Sequence, residues 1–170
     1  MKPLRPQDIF LLLALMANRD REEWTYDRLA AELGISASQV FRSLKRAEAS
    51  HLFDRASRRV RRLELLEFLS HGIRYAFAAV PAGIQRGVPT CWNAPGLDGL
   101  IEISEDEPFV WPAPNGTARG QAIEPLHSGA LMASGESEEL HRLLALTDIL
   151  RVGSARERNV AKEELKKTLR

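Results

Sequence analysis

Ser38, Gln39, Arg42, Lys45 and Arg46 fall within nine consecutive positions, and Arg55, Arg58, Arg59, Arg61 and Arg62 fall within eight. Guanidinium and ammonium groups neutralise phosphate charge, while hydroxyl, amide and guanidinium donors read the edges of bases. Such residue types, crowded into one stretch, point to recognition of a polyanion. The plain alternative for each cluster is a charged surface that meets only water.

The elements around these residues decide between the two. Leu29 to Arg46 reads as two short helices joined by a tight turn. Ala30 is small where the first helix must lie close to the second. Gly34 stands just past the end of the first helix, where a left-handed residue is needed and glycine carries no steric cost. Ser36 caps the second helix, and Gln39 three residues on completes a capping box. Val40, Leu44 and Ala47 recur at helical spacing and face inward. Ser38, Gln39, Arg42, Lys45 and Arg46 are left for the outer faces. Thr25 is placed to cap the first helix of the pair. This is the design of a helix-turn-helix, whose second helix enters the major groove of DNA. A helical hairpin with a solvated second face would carry the same charges without needing these coincident spacings.

Leu29 to Glu48 also resembles the core of winged-helix transcriptional regulators of the MarR type, in which a Leu-Ala, a Leu-Gly-Ile-Ser, a Val and an Arg-x-Leu-Lys-Arg recur in this order. The resemblance spans about residues 6–62. It departs where that family has Gly-Leu-Ile after the recognition helix and this chain has His51-Leu52-Phe53, which implies a short or unusually set wing. Leu52 to Arg62 stands in the wing position. Its arginine run follows a recognition helix directly, so contact with phosphates is favoured over a merely solvated loop.

Composition fits this picture. The net charge of +1 over 170 residues hides an asymmetry: residues 1–62 hold 13 Lys and Arg against 8 Asp and Glu, and residues 63–170 hold 11 against 15. A basic N-terminal part and an acidic remainder suit one half that faces DNA and one held away from it. Cys91 is the single cysteine, so no disulfide framework is available within the chain, and a reducing, cytoplasmic setting is expected. An idle buried thiol is the ordinary reading of it, a redox sensor the other. Ile9 to Ala17 is apolar throughout after Lys2 and Arg5, like the start of a signal peptide. It is too short to span a bilayer, and the helix-turn-helix follows too soon for cleavage, so it is read as a first helix from Pro6 to Asn18. No membrane association is expected.

Beyond residue 62 the expectations are coarser. Leu63 onward reads as an amphipathic helix, changing to strand-like alternation at Ile73 to Phe77. Residues 80–134 hold most prolines and glycines, with short strands expected at Gly99 to Ser104, Pro108 to Trp111 and Ala118 to Glu124, and a turn at Asn115-Gly116. From Glu136 the chain reads as helical, with an apolar stripe from Leu140 to Leu150. Gly153 ends that helix, and Ser154 with Glu157 starts another. The fold class expected is α+β, mainly helical. It comprises a winged helix-turn-helix over 1–62, a connecting helix and small turn-rich β region over 63–134, and C-terminal helices over 135–170.

Other chemistry finds little footing. His51, His71, His127 and His141 are scattered, so no zinc site and no metal is expected, and no cofactor loop occurs. No serine sits in a nucleophile elbow. Glu102 with Glu105 or Asp106 forms an acidic group that would ordinarily only be solvated, and catalysis is not expected. Trp92, Trp111, Phe109 and Tyr75 either line an effector pocket or form the core of the β region.

The sequence therefore points to a transcriptional regulator, a repressor by expectation, binding double-stranded DNA. Ser38, Gln39 and Arg42 are the candidates for the groove; Lys45, Arg46, Arg55, Arg58, Arg59, Arg61 and Arg62 are the candidates for phosphates, and Ser36 is a further DNA-binding candidate. A homodimer is expected from the apolar surplus at Ile9 to Ala17 and at Leu140 to Leu150. It would read a near-palindromic operator with half-sites about 34–36 Å apart. A small-molecule effector is a possible further partner. The competing reading is a winged-helix protein-interaction module, such as an autorepressing antitoxin that masks a partner toxin.

Overall fold

The computed structural model describes residues 2–18, 23–102 and 108–170. Pro6 opens the first helix, α1 (Pro6–Ala17), at a position where its missing N–H costs nothing. Asp8, Ile9, Phe10, Leu11, Leu12, Leu13, Ala14 and Met16 are all buried. α1 therefore needs cover on every side. Two helices cover one part of it: α2 (Tyr26–Leu33) and α3 (Ala37–Ala49) pack together, and α3 lies on α1. A two-stranded antiparallel hairpin follows, β1 (Phe53–Asp54) with β2 (Arg59–Val60), paired Phe53 to Val60 and Asp54 to Arg59.

Next come α4 (Arg62–His71) and the short α5 (Ile73–Ala76). The alternation at Ile73 to Phe77 thus resolves as helix, with only Ile73 buried among the four residues of α5. The β region is a closed set of three strands, β3 (Ile84–Pro89), β4 (Phe109–Pro112) and β5 (Ala118–Ala122). β3 runs antiparallel to both others, while β4 and β5 are parallel. The turn around Asn115-Gly116 therefore joins parallel strands, and is not a hairpin. The strands close tightly because three glycines allow backbones to touch. A Cβ on Gly87 would meet the Trp111 carbonyl, on Gly116 the backbone of Gly87, and on Gly120 the Pro108 carbonyl. The strand expected at Gly99 to Ser104 is not formed over residues 99–102, and its last two residues lie outside the described ones.

The last three helices are α6 (Ala130–Glu136), α7 (Glu138–Val152) and α8 (Ala155–Leu169). α6 lies in the stretch expected to be β or loop. Ser137 caps α7, and Ser154 with Glu157 forms the capping box that starts α8. α7 is the second buried axis of the molecule. It packs on α1, α5, α6, α8 and the turn at Cys91–Asn93. The two apolar surpluses expected to meet a second subunit therefore cover each other within one chain. One hydrophobic core holds residues from all three expected segments, from Ile9 through Leu65 and Trp111 to Leu165, so the boundaries at 62 and 134 do not separate independent cores.

Polar groups inside this core are paired. Asp148 of α7 accepts from Thr90 Oγ1 and Trp111 Nε1, each at 2.7 Å, and forms an ion pair with Arg151 at 2.8 Å. Arg151 in turn donates to the carbonyls of Phe77 and Glu124. Burial raises the Asp148 carboxyl above its ordinary range, and these partners oppose that rise. His141 bonds the Pro89 carbonyl through Nε2 at 2.8 Å, and Nδ1 of His127 accepts from the Gly129 N–H at 3.0 Å.

Burial pushes the imidazoles of His141 and His127 below their ordinary value. Unfolded, each takes up a proton as pH falls through about 6.5; folded, each resists until lower pH. The unfolded state then binds more protons, so their contribution is complete above the unfolded value and is lost as pH falls from there. The thermal midpoint should fall between about pH 6.5 and pH 5 in the wild type. It should fall less in a His127→Gln, His141→Gln variant. Identical slopes in melts followed by circular dichroism would contradict this assignment.

Candidate nucleic-acid interface

The turn between α2 and α3 is built from local bonds. Thr25 accepts from the Arg28 N–H at 3.2 Å and starts α2. Gly34 has φ +67°, the left-handed conformation that ends α2, and the Ile35 N–H returns to the Ala30 carbonyl at 3.1 Å. Ser36 accepts from the Gln39 N–H at 3.1 Å, and the Gln39 side chain accepts from the Ser36 N–H at 2.8 Å. Val40, Leu44 and Ala47 are buried beneath α3, as the spacing predicts.

The remaining face of α3 carries Ser38, Arg42 and Lys45, all exposed. Positions four and three apart lie along one stripe of a helix, so these three project together, opposite the buried set. Ser36 is exposed at the leading end. Gln39 is half-buried and its carbonyl oxygen already holds the cap. A bidentate contact with adenine needs that oxygen as well as the amide nitrogen, so capping and base reading compete for one side chain.

Arg46 corrects the expectation directly. It is only 9% exposed and donates to both oxygens of Asp8, at 2.9 Å from Nε and 2.6 Å from Nη2. It also donates to Ser43 Oγ at 3.1 Å, which in turn accepts from Gln7. Arg46 is therefore part of the α1–α3 contact, with Nε and Nη2 both engaged there. Nothing within α3 signals this, because the partner lies on another helix.

The hairpin stands beside this face. His51 adopts φ 61° at the position where glycine was expected from the resemblance, and Leu52 and Phe53 then turn into the core. Two strand residues on each side make the hairpin short. Asp54 organises its loop by accepting from the Ala56 N–H and from Ser57 Oγ. The Ser57 hydroxyl is the main cause that holds the Asp54 carboxyl below its ordinary range.

Arg58, at φ 57°, is clamped by Trp24: its guanidinium lies 4.2 Å from the ring centre and donates to the Trp24 carbonyl at 2.8 Å, while the indole N–H donates back at 3.4 Å. Arg55 lies 5.1 Å over the ring of Phe41 on α3. Trp24, Tyr26 and Phe41 touch in sequence, so an arginine–aromatic ladder ties hairpin to helices. A guanidinium stacked on a ring keeps in-plane N–H groups directed outward, which preorganises it for an anion. Sequence reading singled out none of these three aromatics. Their signal is Trp24-Thr25-Tyr26, and Phe41 beside the inward Val40.

Arg59 and Arg61 are exposed and lie in no ion pair among the described residues. Arg62 is the first residue of α4 and donates to the Arg170 carbonyl at 3.4 Å, so it belongs to the approach of α4 and α8 and not to the hairpin. α3 thus exposes Ser38, Arg42 and Lys45, and the neighbouring hairpin exposes Arg55, Arg58, Arg59 and Arg61, with Arg55 lying against α3 through Phe41.

The other candidates do not assemble. Trp92 and Trp111 are core residues, and Tyr75 is 81% exposed, so the expected aromatics form no common pocket. Cys91 is buried, and burial pushes its thiol well up, which suppresses the reactive thiolate a redox sensor needs. Glu105 and Asp106 lie outside the described residues. No three His, Cys, Asp or Glu side chains cluster as metal ligands among the described residues, and no helix among them is long and apolar enough to cross a membrane. No protein-family model, curated protein or solved structure matches the chain.

The two arginines of α3 give a direct test of its orientation. Arg46→Met leaves Asp8 buried without its partner and should cost about 3–5 kcal/mol in urea unfolding. Arg42→Ala removes an exposed side chain and should change stability by no more than about 0.5 kcal/mol. Equal effects would overturn the assignment of faces.

Proposed function

We propose that this protein is a sequence-specific, double-stranded-DNA-binding transcriptional regulator built on a winged helix-turn-helix. The observation that carries the reading is the joint exposure of Ser38, Arg42 and Lys45 on α3 beside the hairpin arginines. The same helix buries its opposite face and is capped by Ser36. In this reading α3 lies in the major groove. Arg42 makes the main base contact, bidentate to guanine, which is the commonest specific contact of an arginine. Ser38 supports it with a single hydroxyl. Lys45, Arg55, Arg58, Arg59 and Arg61 hold phosphates and set the register of the helix on the duplex.

The proposal is made for one chain binding one site. The apolar surfaces that argued for a two-fold dimer, on α1 and α7, are consumed in the chain's own core. That removes the physical reason for pairing through them.

Base contacts and phosphate contacts fail differently, which makes the reading testable. On its preferred duplex, Arg42→Ala should lose about 1–3 kcal/mol of affinity and relax discrimination at one base position. Arg59→Ala with Arg61→Ala should weaken binding to every sequence alike, and reduce the slope of log K against log salt by about two. Fluorescence anisotropy across a salt series reads both. A salt slope unchanged by the double substitution, together with an Arg42→Ala variant of unaltered affinity and preference, would reject this interface.

A further inference from the structure

Two arginines on the β barrel stand where like charges repel. Arg86 of β3 and Arg119 of β5 are register partners in an antiparallel pair. Their side chains leave the same face of the sheet from Cβ atoms about 4.5–5.5 Å apart, and like charges so placed destabilise the pair. Neither lies in an ion pair among the described residues. Among the described residues the Arg86 guanidinium has one hydrogen bond, a long one of 3.4 Å to the Gly116 carbonyl. Both arginines are exposed, and both line one groove with Ile84, Gln85, Pro112 and Pro114. Ile84 is 44% exposed there, an apolar side chain left in water beside two cations.

We propose that this groove binds a small amphiphilic anion: a carboxylate or phosphate head held between Arg86 and Arg119, with an apolar body against Ile84, Pro112 and Pro114. An anionic head turns the cross-strand repulsion into two charge-assisted contacts. The exposed isoleucine and the proline rings, which lack an N–H to satisfy, supply the apolar wall that ligand sites combine with a few polar groups. A nucleic-acid backbone fits less well, since its charges are spread along a convex strand and it offers nothing to the apolar wall. The site is separate from the α3 face and does not depend on how that face is read.

The full chain, free of nucleic acid, should be titrated calorimetrically with phenyl phosphate, with inorganic phosphate and phenol as the two half-ligands. Phenyl phosphate should bind tighter than either. Arg86→Gln and Arg119→Gln should each weaken it about tenfold, the loss of one charge-assisted contact. Without ligand, either substitution should leave the thermal midpoint unchanged or raise it, because the repulsion is relieved. Wild-type affinity in both variants would overturn the proposal, as would a lowered midpoint without ligand or phenyl phosphate binding no tighter than phosphate. Variants that lose affinity for duplex DNA while binding phenyl phosphate normally would assign the arginines to nucleic acid instead, and the proposal would fail.

Discussion

A helix of twelve residues with an unbroken apolar run from Ile9 to Ala17 has no side it can offer to water. The rest of the architecture follows from covering it. α2 and α3 close one part of α1 and α7 closes another, so the two ends of the chain share a single core. The one charge buried in α1, Asp8, is answered by the bidentate guanidinium of Arg46. Removing either partner would leave an uncompensated ion in the core, so the pair fixes the rotation of α3 about its own axis. With Val40, Leu44 and Ala47 turned inward, Ser38, Arg42 and Lys45 are turned outward by helical geometry, and Arg46, four residues after Arg42, reaches Asp8 from the edge of that stripe. The exposed face of α3 is thus the one left over when its apolar residues pack inward and Arg46 meets Asp8 on α1.

The same logic fastens the β barrel. Asp148 reaches from α7 to Thr90 and Trp111, and Arg151 beside it ties down the carbonyls of Phe77 and Glu124. A buried carboxylate with three partners is costly to disturb and specific in geometry, so the barrel keeps one orientation on α7. Gly87, Gly116 and Gly120 let the strands close tightly enough to pack Trp111 into the core. The barrel is therefore part of the helical body, and any ligand held on its outer groove acts on a structure continuous with the α3 face.

Features encoded by neighbouring residues were legible in the sequence. Pro6, Thr25, Gly34, the Ser36–Gln39 box and the Ser154–Glu157 box each act within about one helical turn, and each end is where its local chemistry puts it. Features decided across the chain were not. Arg46 resembles its exposed neighbours until Asp8, 38 positions earlier, is brought against it. Two apolar helices at opposite ends can mate with each other or with a second copy, and no local signal distinguishes these. Ile73 to Phe77 alternates like a strand but is too short to override its position between α4 and α7. The arginine–aromatic ladder joins Trp24, Tyr26 and Phe41 to a hairpin loop, a juxtaposition that exists only once the fold has formed.

The central claim is that α3 and the hairpin read a defined DNA sequence. Selection of the purified full chain against a random pool of duplexes tests it most directly, followed by affinity measurement at physiological salt. The account predicts convergence on one short motif, bound at least about a thousandfold tighter than a scrambled duplex. A pool that stays unenriched after repeated rounds, or a selected duplex bound no better than its scrambled counterpart, would contradict it.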